Sequence, residues 1–513
     1  MRKTAFILVM SVLWAFAAQG QAAAQDTGLE VRSGLWNDPL TALGSGLMRG
    51  YTPAAGLVSL FPSYSSADVS FDLRSEDSAC LPQEGDGLRQ GSFNASSFFR
   101  LDEKSAVEGS VSYQRGVKRN VVWNETSDYE LLYPYVMADS VGGNLQKEAY
   151  IFSGSYSRRS GGWVWSAAGK YRALHEYRTV DPRPRDITSD LEVALSGGRE
   201  FPAMLLTATA RYRKYHQQQS VEFLDPQGAN TLLLPFTGLG SDFYRFETTG
   251  AFAGTRYRGR GGEFALTASS PDGDRWHSGV KYSLLNVVRH LTAQNEAPIT
   301  ELLTQRVSAF AAYKFRESGR FRAGVEASAC YELRQGKENV IDNTTSGVFR
   351  TLYSPVMYTN HVASGSLRGV LRLQEAYGTW SLLPEAGVYM FMSSYEYPSR
   401  YMDFTSGQGS VRLRFARTSG PWMMDFEGGA GYVASLSGRF SLPYSLTRRN
   451  VYEDYETMYG KFSSNRAEAL LSARVQRTVT PSLAVFAGAG GKALFFDGGD
   501  VSVYVRINVG ICF

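Results

Sequence analysis

From Val501 to Phe513 the chain reads VSVYVRINVGICF, with apolar residues on every odd position and polar or small ones on the even positions. Successive side chains of a strand point to opposite faces, so period two predicts a strand with one apolar and one polar face. The pattern recurs through most of the chain. Phe321 to Leu333 places Phe, Ala, Val, Ala, Ala, Tyr and Leu on one face and Arg322, Glu326 and Glu332 on the other. Trp163 to Ala173, Val307 to Phe315, Leu367 to Leu373 and Trp422 to Tyr432 repeat it.

Three features separate these strands from those of a soluble sandwich. The runs extend over about 10 to 18 residues, where globular strands average about 5 or 6. Their polar faces carry long charged residues, many of them arginines. The connections also alternate in length. Short joins fall near Asp102-Glu103-Lys104, Ser160-Gly161, Arg199-Glu200, Pro271-Asp272-Gly273, Ser318-Gly319, Tyr377-Gly378, Ser419-Gly420 and Thr480-Pro481. Long segments lie at Lys118 to Lys147, Phe223 to Gly240, Gly336 to Asn360 and Pro443 to Phe462.

Short periplasmic turns opposed to long extracellular loops predict an all-β transmembrane antiparallel barrel. Strands flanking the eight joins, a first strand near Ala67 to Arg74 and the terminal one make about 18, an even number as such barrels require. The range is 16–20, because Phe246 to Ser269 reads either as one strand kinked around Arg258 to Gly262 or as two.

The chain's ends fit that reading. Arg2 and Lys3, an apolar run from Ala5 to Ala18 and Ala22-Ala23-Ala24 predict a secretory signal over residues 1–24. The apolar run is shorter than the roughly 20 residues that span a bilayer, and no cysteine follows the cleavage site for lipid attachment. Residues 67–513 then form the barrel in outer-membrane lipid. Its last strand must pair with the first, because lipid leaves no open sheet edge satisfied. Tyr504 and Phe513 resemble the terminal signal read by the barrel insertion machinery.

Residues 25–66 lack sustained alternation. Asp38 before Pro39 reads as a helix start, and the helix-like stretch continues to Met48. Two placements stay open, a plug folded into the lumen and a periplasmic arm. Either is too short for the globular plug domain of an energy-coupled receptor.

Composition adds little chemistry. The 52 glycines, 30 tyrosines and 29 phenylalanines suit strands, turns and interfacial aromatic girdles. Net charge is +4, falling to +2 without Arg2 and Lys3, so no nucleic-acid partner is implied. Cys80, Cys330 and Cys512 are too scattered for a disulfide framework. No metal-ligand spacing occurs and no cofactor is implied. The five histidines have no serine or acid beside them on one strand face; His277-Ser278 and His175-Glu176 are adjacent and so point apart. An outer-membrane hydrolase is therefore the third-ranked reading.

Two groups of residues are candidates for function. Arg172, Arg322, Glu326, Arg368, Arg372, Arg412, Arg414 and Arg506 project into the lumen. They either line a path for an anionic or sugar-like solute or pair with one another and stiffen the wall. The loop Val121 to Gly143 gathers Trp123, Asn124, Glu125, Asp128, Tyr133, Tyr135 and Asp139. Aromatic rings beside carboxylates and amides suit a carbohydrate or small-ligand site, and equally suit an inward fold that constricts the lumen.

Within that loop, Trp123-Asn124-Glu125, Tyr133-Pro134-Tyr135-Val136, Ala138-Asp139-Ser140 and Gly142-Gly143 resemble an uncharacterised outer-membrane β-barrel family of Bacteroidota. The resemblance covers nearly the whole mature chain and implies location and fold. It implies no activity, and no functional residue is carried over from it. The resulting expectation is a barrel in solute passage or uptake, as a channel or as an accessory of an uptake complex. The alternative is a non-conducting barrel whose long loops, Gly336 to Asn360 above all, dock a surface lipoprotein or another barrel.

Overall fold

A computed structural model describes residues 28–58, 61–224, 233–243, 254–315, 319–342 and 349–513. The signal over 1–24, Ser318 of one short join and residues 246–253 lie outside the described residues. Eighteen antiparallel strands form one closed sheet. They are β1 (Tyr64–Glu76), β2 (Gly87–Arg100), β3 (Ser105–Val121), β4 (Gly143–Ser160), β5 (Trp163–Tyr177) and β6 (Arg183–Glu200). Next come β7 (Leu205–Glu222), β8 (Gly254–Ser269), β9 (Trp276–Leu291), β10 (Ala297–Lys314), β11 (Phe321–Glu338) and β12 (Val356–Glu375). The last six are β13 (Gly378–Tyr395), β14 (Arg400–Ser419), β15 (Trp422–Ser441), β16 (Arg466–Thr480), β17 (Leu483–Phe496) and β18 (Val501–Cys512).

Lengths of 12 to 20 residues exceed the roughly 9–11 that a tilted strand needs to cross a bilayer, so the wall projects beyond it. Among the described residues no helix is long and apolar enough to cross a membrane.

The terminal strand closes the sheet. β18 pairs with β1, placing Val69 opposite Val509 and Asp72 opposite Arg506. Ser65 and Phe513 exchange both backbone hydrogen bonds at 2.9 Å. Ile507 is 53 % and Val509 60 % exposed, so the apolar face of β18 looks outward. Deleting Phe513 removes that final pair of bonds, and the yield of assembled barrel is expected to fall. The heat-dependent shift on a denaturing gel measures it; an unchanged yield would remove Phe513 from barrel closure and insertion.

Two boundaries differ from the alternation, and one open alternative is resolved. β1 starts at Tyr64, ahead of residue 67, because Tyr64 to Ser66 still pair with Phe98 to Ser96. β6 runs through Arg199 and Glu200, which pair with Leu206 and Leu205, so the turn lies at residues 201–204. There Pro202 has no backbone N–H to give a ladder. β8 is a single strand through Arg258 to Gly262, with unbroken pairing to both neighbours. The long loops also hold structure of their own. Met137–Asp139 pairs with Leu233–Gly238, and Arg449–Phe462 is an α-helix.

Candidate functional site

The lumen is filled from both ends. At the turn end, residues 28–58 cross it as short helices touching the wall on many sides. Leu29–Asn37 packs Leu29 against Ala484, Phe486 and Cys512, and Ser33 donates to Gln476 Oε1 at 2.8 Å. Asp38 caps the next turn, accepting from Thr41 N at 3.0 Å, and its other role is an ion pair with Arg372 at 3.1 Å. Arg49 reaches Glu108 at 2.8 Å while lying over the ring of Trp36. Met48, Tyr51, Leu57 and Val58 then bury against Phe98, Val164, Leu205 and Phe310.

The helix-like stretch breaks at Gly44, which has a φ of 73° and donates its N–H to Glu326 Oε2 at 2.9 Å. A Cβ at Gly44 would stand 2.7 Å from both the His277 ring and the Ala312 methyl. Gly44→Val is therefore expected to unseat residues 28–58, making them roughly tenfold more sensitive to protease in the assembled barrel. Unchanged cleavage would show that the seat is indifferent to this contact.

At the loop end, residues 122–142 dip into the lumen. The base of the loop is a buried polar knot. Arg178, with its side chain 1 % exposed, donates to Asp139 Oδ2 at 2.9 Å and lies 3.5 Å from Glu125 Oε1, both acids being fully buried. Burial, reinforced by the charge of Asp139, pushes the Glu125 carboxyl well above its ordinary range despite Arg178. Asn124 donates to Gln83 O at 3.0 Å and Gln219 to Glu125 O at 2.9 Å. Gly142, with φ 70°, permits the exit turn, since a Cβ there would lie 2.6 Å from Val121 O.

The tip is held differently. Asp128 receives both terminal nitrogens of Arg172, at 2.8 and 2.6 Å, and the Tyr215 hydroxyl at 3.0 Å. Burial pushes Asp128 upward, but the Arg172 hydrogen bonds outweigh it and hold the carboxyl below its ordinary range. Tyr133 packs on Tyr358 and meets Tyr455 of the helix Arg449–Phe462, whose Asp454 accepts from the Trp123 indole. Arg289 donates to Phe236 O at 3.2 Å, and Arg400 to Leu239 O at 2.9 Å and Leu446 O at 3.1 Å, tying the other loops into the cap.

Between the two inserts two chambers stay open. One, of about 700 Å³, is lined mostly by charged side chains. The other, of about 770 Å³, lies beneath the helix Arg449–Phe462. Tyr129, Glu130, Arg306, Glu332 and Arg334 line both, so the chambers meet at the loop tip.

The structure thus brings the seven loop residues together as a folded insert. Trp123, Asn124, Glu125, Tyr135 and Asp139 are buried, leaving the tip to face the chambers. The lumen charges are largely spent on neighbours. Arg368 meets Glu326 and Glu385, Arg412 meets Glu385 and Glu427, Arg414 pairs with Asp425, and Arg506 grips Asp72 across the seam. Arg322 stands opposite Arg372 near the turn end and is itself engaged. Tyr504 lies on the lumen face with Arg506, its hydroxyl bonded to Asp72. Tyr215, Arg289 and Arg400 carry no sequence signal that separates them from the other polar and aromatic residues around them. The helix did carry one, in the spacing of Val451, Tyr455, Met458 and Phe462.

Residues 54–513 match the model of a family of unknown function, DUF6850. The chain belongs to that family. The match takes in the whole barrel and the capping loop, and begins near the end of the turn-end insert. No curated protein matches the chain. Solved structures similar to it include the CymD monoaromatic hydrocarbon channel, at 10 % identity over 94 % of this chain and 96 % of that one, with a TM-score of 0.32. The ferric preacinetobactin receptor BauA from Acinetobacter baumannii shows 8 % identity over 87 % and 80 %, with a TM-score of 0.41. The copper transporter OprC shows 10 % identity over the same shares and the same TM-score.

Proposed function

We propose that this protein admits a solute across the outer membrane and that the structure holds its lumen in a closed state. One observation carries the reading: two chambers, one lined mostly by charged side chains and one part apolar, are kept open inside the barrel between inserts that meet the wall through both ion pairs and apolar contacts. A barrel serving only as a wall can fill such space with apolar side chains. The loop divides into a fixed base and a releasable tip. The buried Arg178 knot anchors the base, whereas the Asp128–Arg172 pair is partly exposed, at 15 % and 21 %. Because that pair lines the charged chamber, the reading makes the tip the part that moves.

The reading includes an outer-membrane location in a Gram-negative cell of the Bacteroidota kind, export through a cleaved leader over 1–24, and assembly by the barrel insertion machinery. Residues 28–58 act in it as a plug. Planar-bilayer recordings test it. In chains lacking residues 26–58, Asp128→Asn is expected to raise the open fraction severalfold over the same chain with Asp128 intact. Silence in both, and also after removal of the loop, would overturn passage.

A second reading is favoured by one feature of the outer rim. Leu352 and Tyr353 are each 66 % exposed and Tyr397 81 % exposed, on neighbouring loops. These suit a sealed barrel that docks another surface protein. Stoichiometric copurification that is lost on Tyr353→Ser and Tyr397→Ser would support it.

A further inference from the structure

We infer that the chamber beneath the helix Arg449–Phe462 is a binding site for an amphipathic carboxylate, a molecule with an aromatic or aliphatic body and an anionic head. The assignment deepens the passage reading and rests on it for its purpose, but the site is argued from its own walls. Its upper part is apolar. Phe404 of β14 is stacked between Phe391 of β13 and Phe462 of the helix, at 5.2 and 5.7 Å between ring centroids. Met402, Met458 and Tyr389 complete that side. Methionine and aromatic side chains accommodate apolar bodies of varied outline.

The lower part supplies donors in excess of acceptors. Glu332 is held by two guanidinium groups, Arg306 Nε at 2.9 Å and Arg334 Nε at 2.6 Å. Arg306 spends only that nitrogen, so its terminal amino groups remain for a ligand. Arg466, also lining the chamber, meets no carboxylate among the described residues. Glu385 is already taken by Arg368 and Arg412. Glu130 lines the chamber from the loop tip, where its backbone carbonyl accepts from Arg334. Three guanidinium groups and three carboxylates thus line the chamber, and of the guanidinium groups Arg306 keeps its terminal nitrogens and Arg466 its fork free of a carboxylate among the described residues. Gln408, without a hydrogen-bond partner among the described residues, adds an amide at the same depth. A guanidinium fork matches a carboxylate bidentately, and an apolar wall a few ångströms above it selects for the rest of the molecule. A free sugar would leave the methionine and phenylalanine wall wet, and an inorganic anion would leave it empty.

The test uses the full mature chain in lipid nanodiscs, with empty nanodiscs subtracted, and three probes of one shape: 2-naphthoate, 2-naphthalenemethanol and 2-naphthylmethylammonium. Calorimetric titration is expected to show saturable binding of the naphthoate, about tenfold tighter than the alcohol, with the ammonium weakest. Arg306→Gln and Arg466→Gln are each expected to shrink the acid-over-alcohol preference to about threefold or less. Tyr389→Ser is expected to weaken all three probes alike. Assembly of each variant is checked by the heat-dependent gel shift, so a folding failure is not mistaken for lost binding. Equal binding of acid and alcohol, preference for the ammonium, or a preference untouched in both arginine variants would overturn the site. Binding without conductance in any chain would sink passage and leave the site standing; conductance without binding would do the reverse.

Discussion

A chain lacking residues 26–58 and carrying a Gly/Ser linker in place of residues 124–140 is expected to conduct steadily, while either change alone is expected to stay at least about tenfold lower. The reason is geometric. An 18-stranded wall encloses a lumen wide enough for an aqueous channel once its fillings are removed. The two inserts occupy opposite ends, one seated on Glu326, Arg372 and Glu108, the other on Arg172, Arg178 and Tyr358. Obstructions in series do not share the load, so the remaining one still limits ion flow. Single-channel recordings of the four chains check this. Full conductance from either single deletion would mean that the other insert does not seal; silence in the double deletion would overturn passage.

Arg178→Met is expected to detach the base of the capping loop. The guanidinium lies among fully buried acids, and its removal leaves negative charge in the interior with no partner, a loss of about 3–5 kcal/mol of loop docking. Cleavage of the loop by an external protease reads the change, with the barrel itself intact on the gel. The dependence on pH has a definite sign. Glu125 is held well above its ordinary value, so the protonated form suits the docked loop. Its contribution is fully present below its unfolded value of about 4.3 and is lost as pH rises through the raised docked value. Removing Arg178 takes away the one influence opposing that rise. The deficit of the variant should therefore grow with pH and be smallest near pH 5. Asp128 runs the other way, since its docked value lies below the ordinary range and its contribution fails only in stronger acid. From pH 5 to 8 the change comes from Glu125. A deficit that is constant across this window would mean that the knot is not electrostatic.

Period-two alternation by itself determined the architecture. Each strand has water or packed polar groups on one side and lipid on the other, and that asymmetry is written into consecutive residues such as Val505 to Phe513. The strand total and the inward face of Arg172, Arg368 and Arg506 follow from the same local rule. Sequence also marked Asp38-Pro39 and the loop Val121 to Gly143, since caps and aromatic clusters are short-range features.

Where those segments go was decided by the tertiary structure alone. Asp38 finds Arg372 more than 300 positions away, and Asp128 finds Arg172 and Tyr215 across the lumen. The helix Arg449–Phe462 turns its apolar stripe onto Tyr133 and Phe404, leaving a chamber that no single strand encodes. Contacts of that kind depend on which strands the closed sheet sets face to face. Alternation fixes a side chain's face of the wall but not its partner across the barrel, so the inserts and chambers emerge only once the barrel has closed.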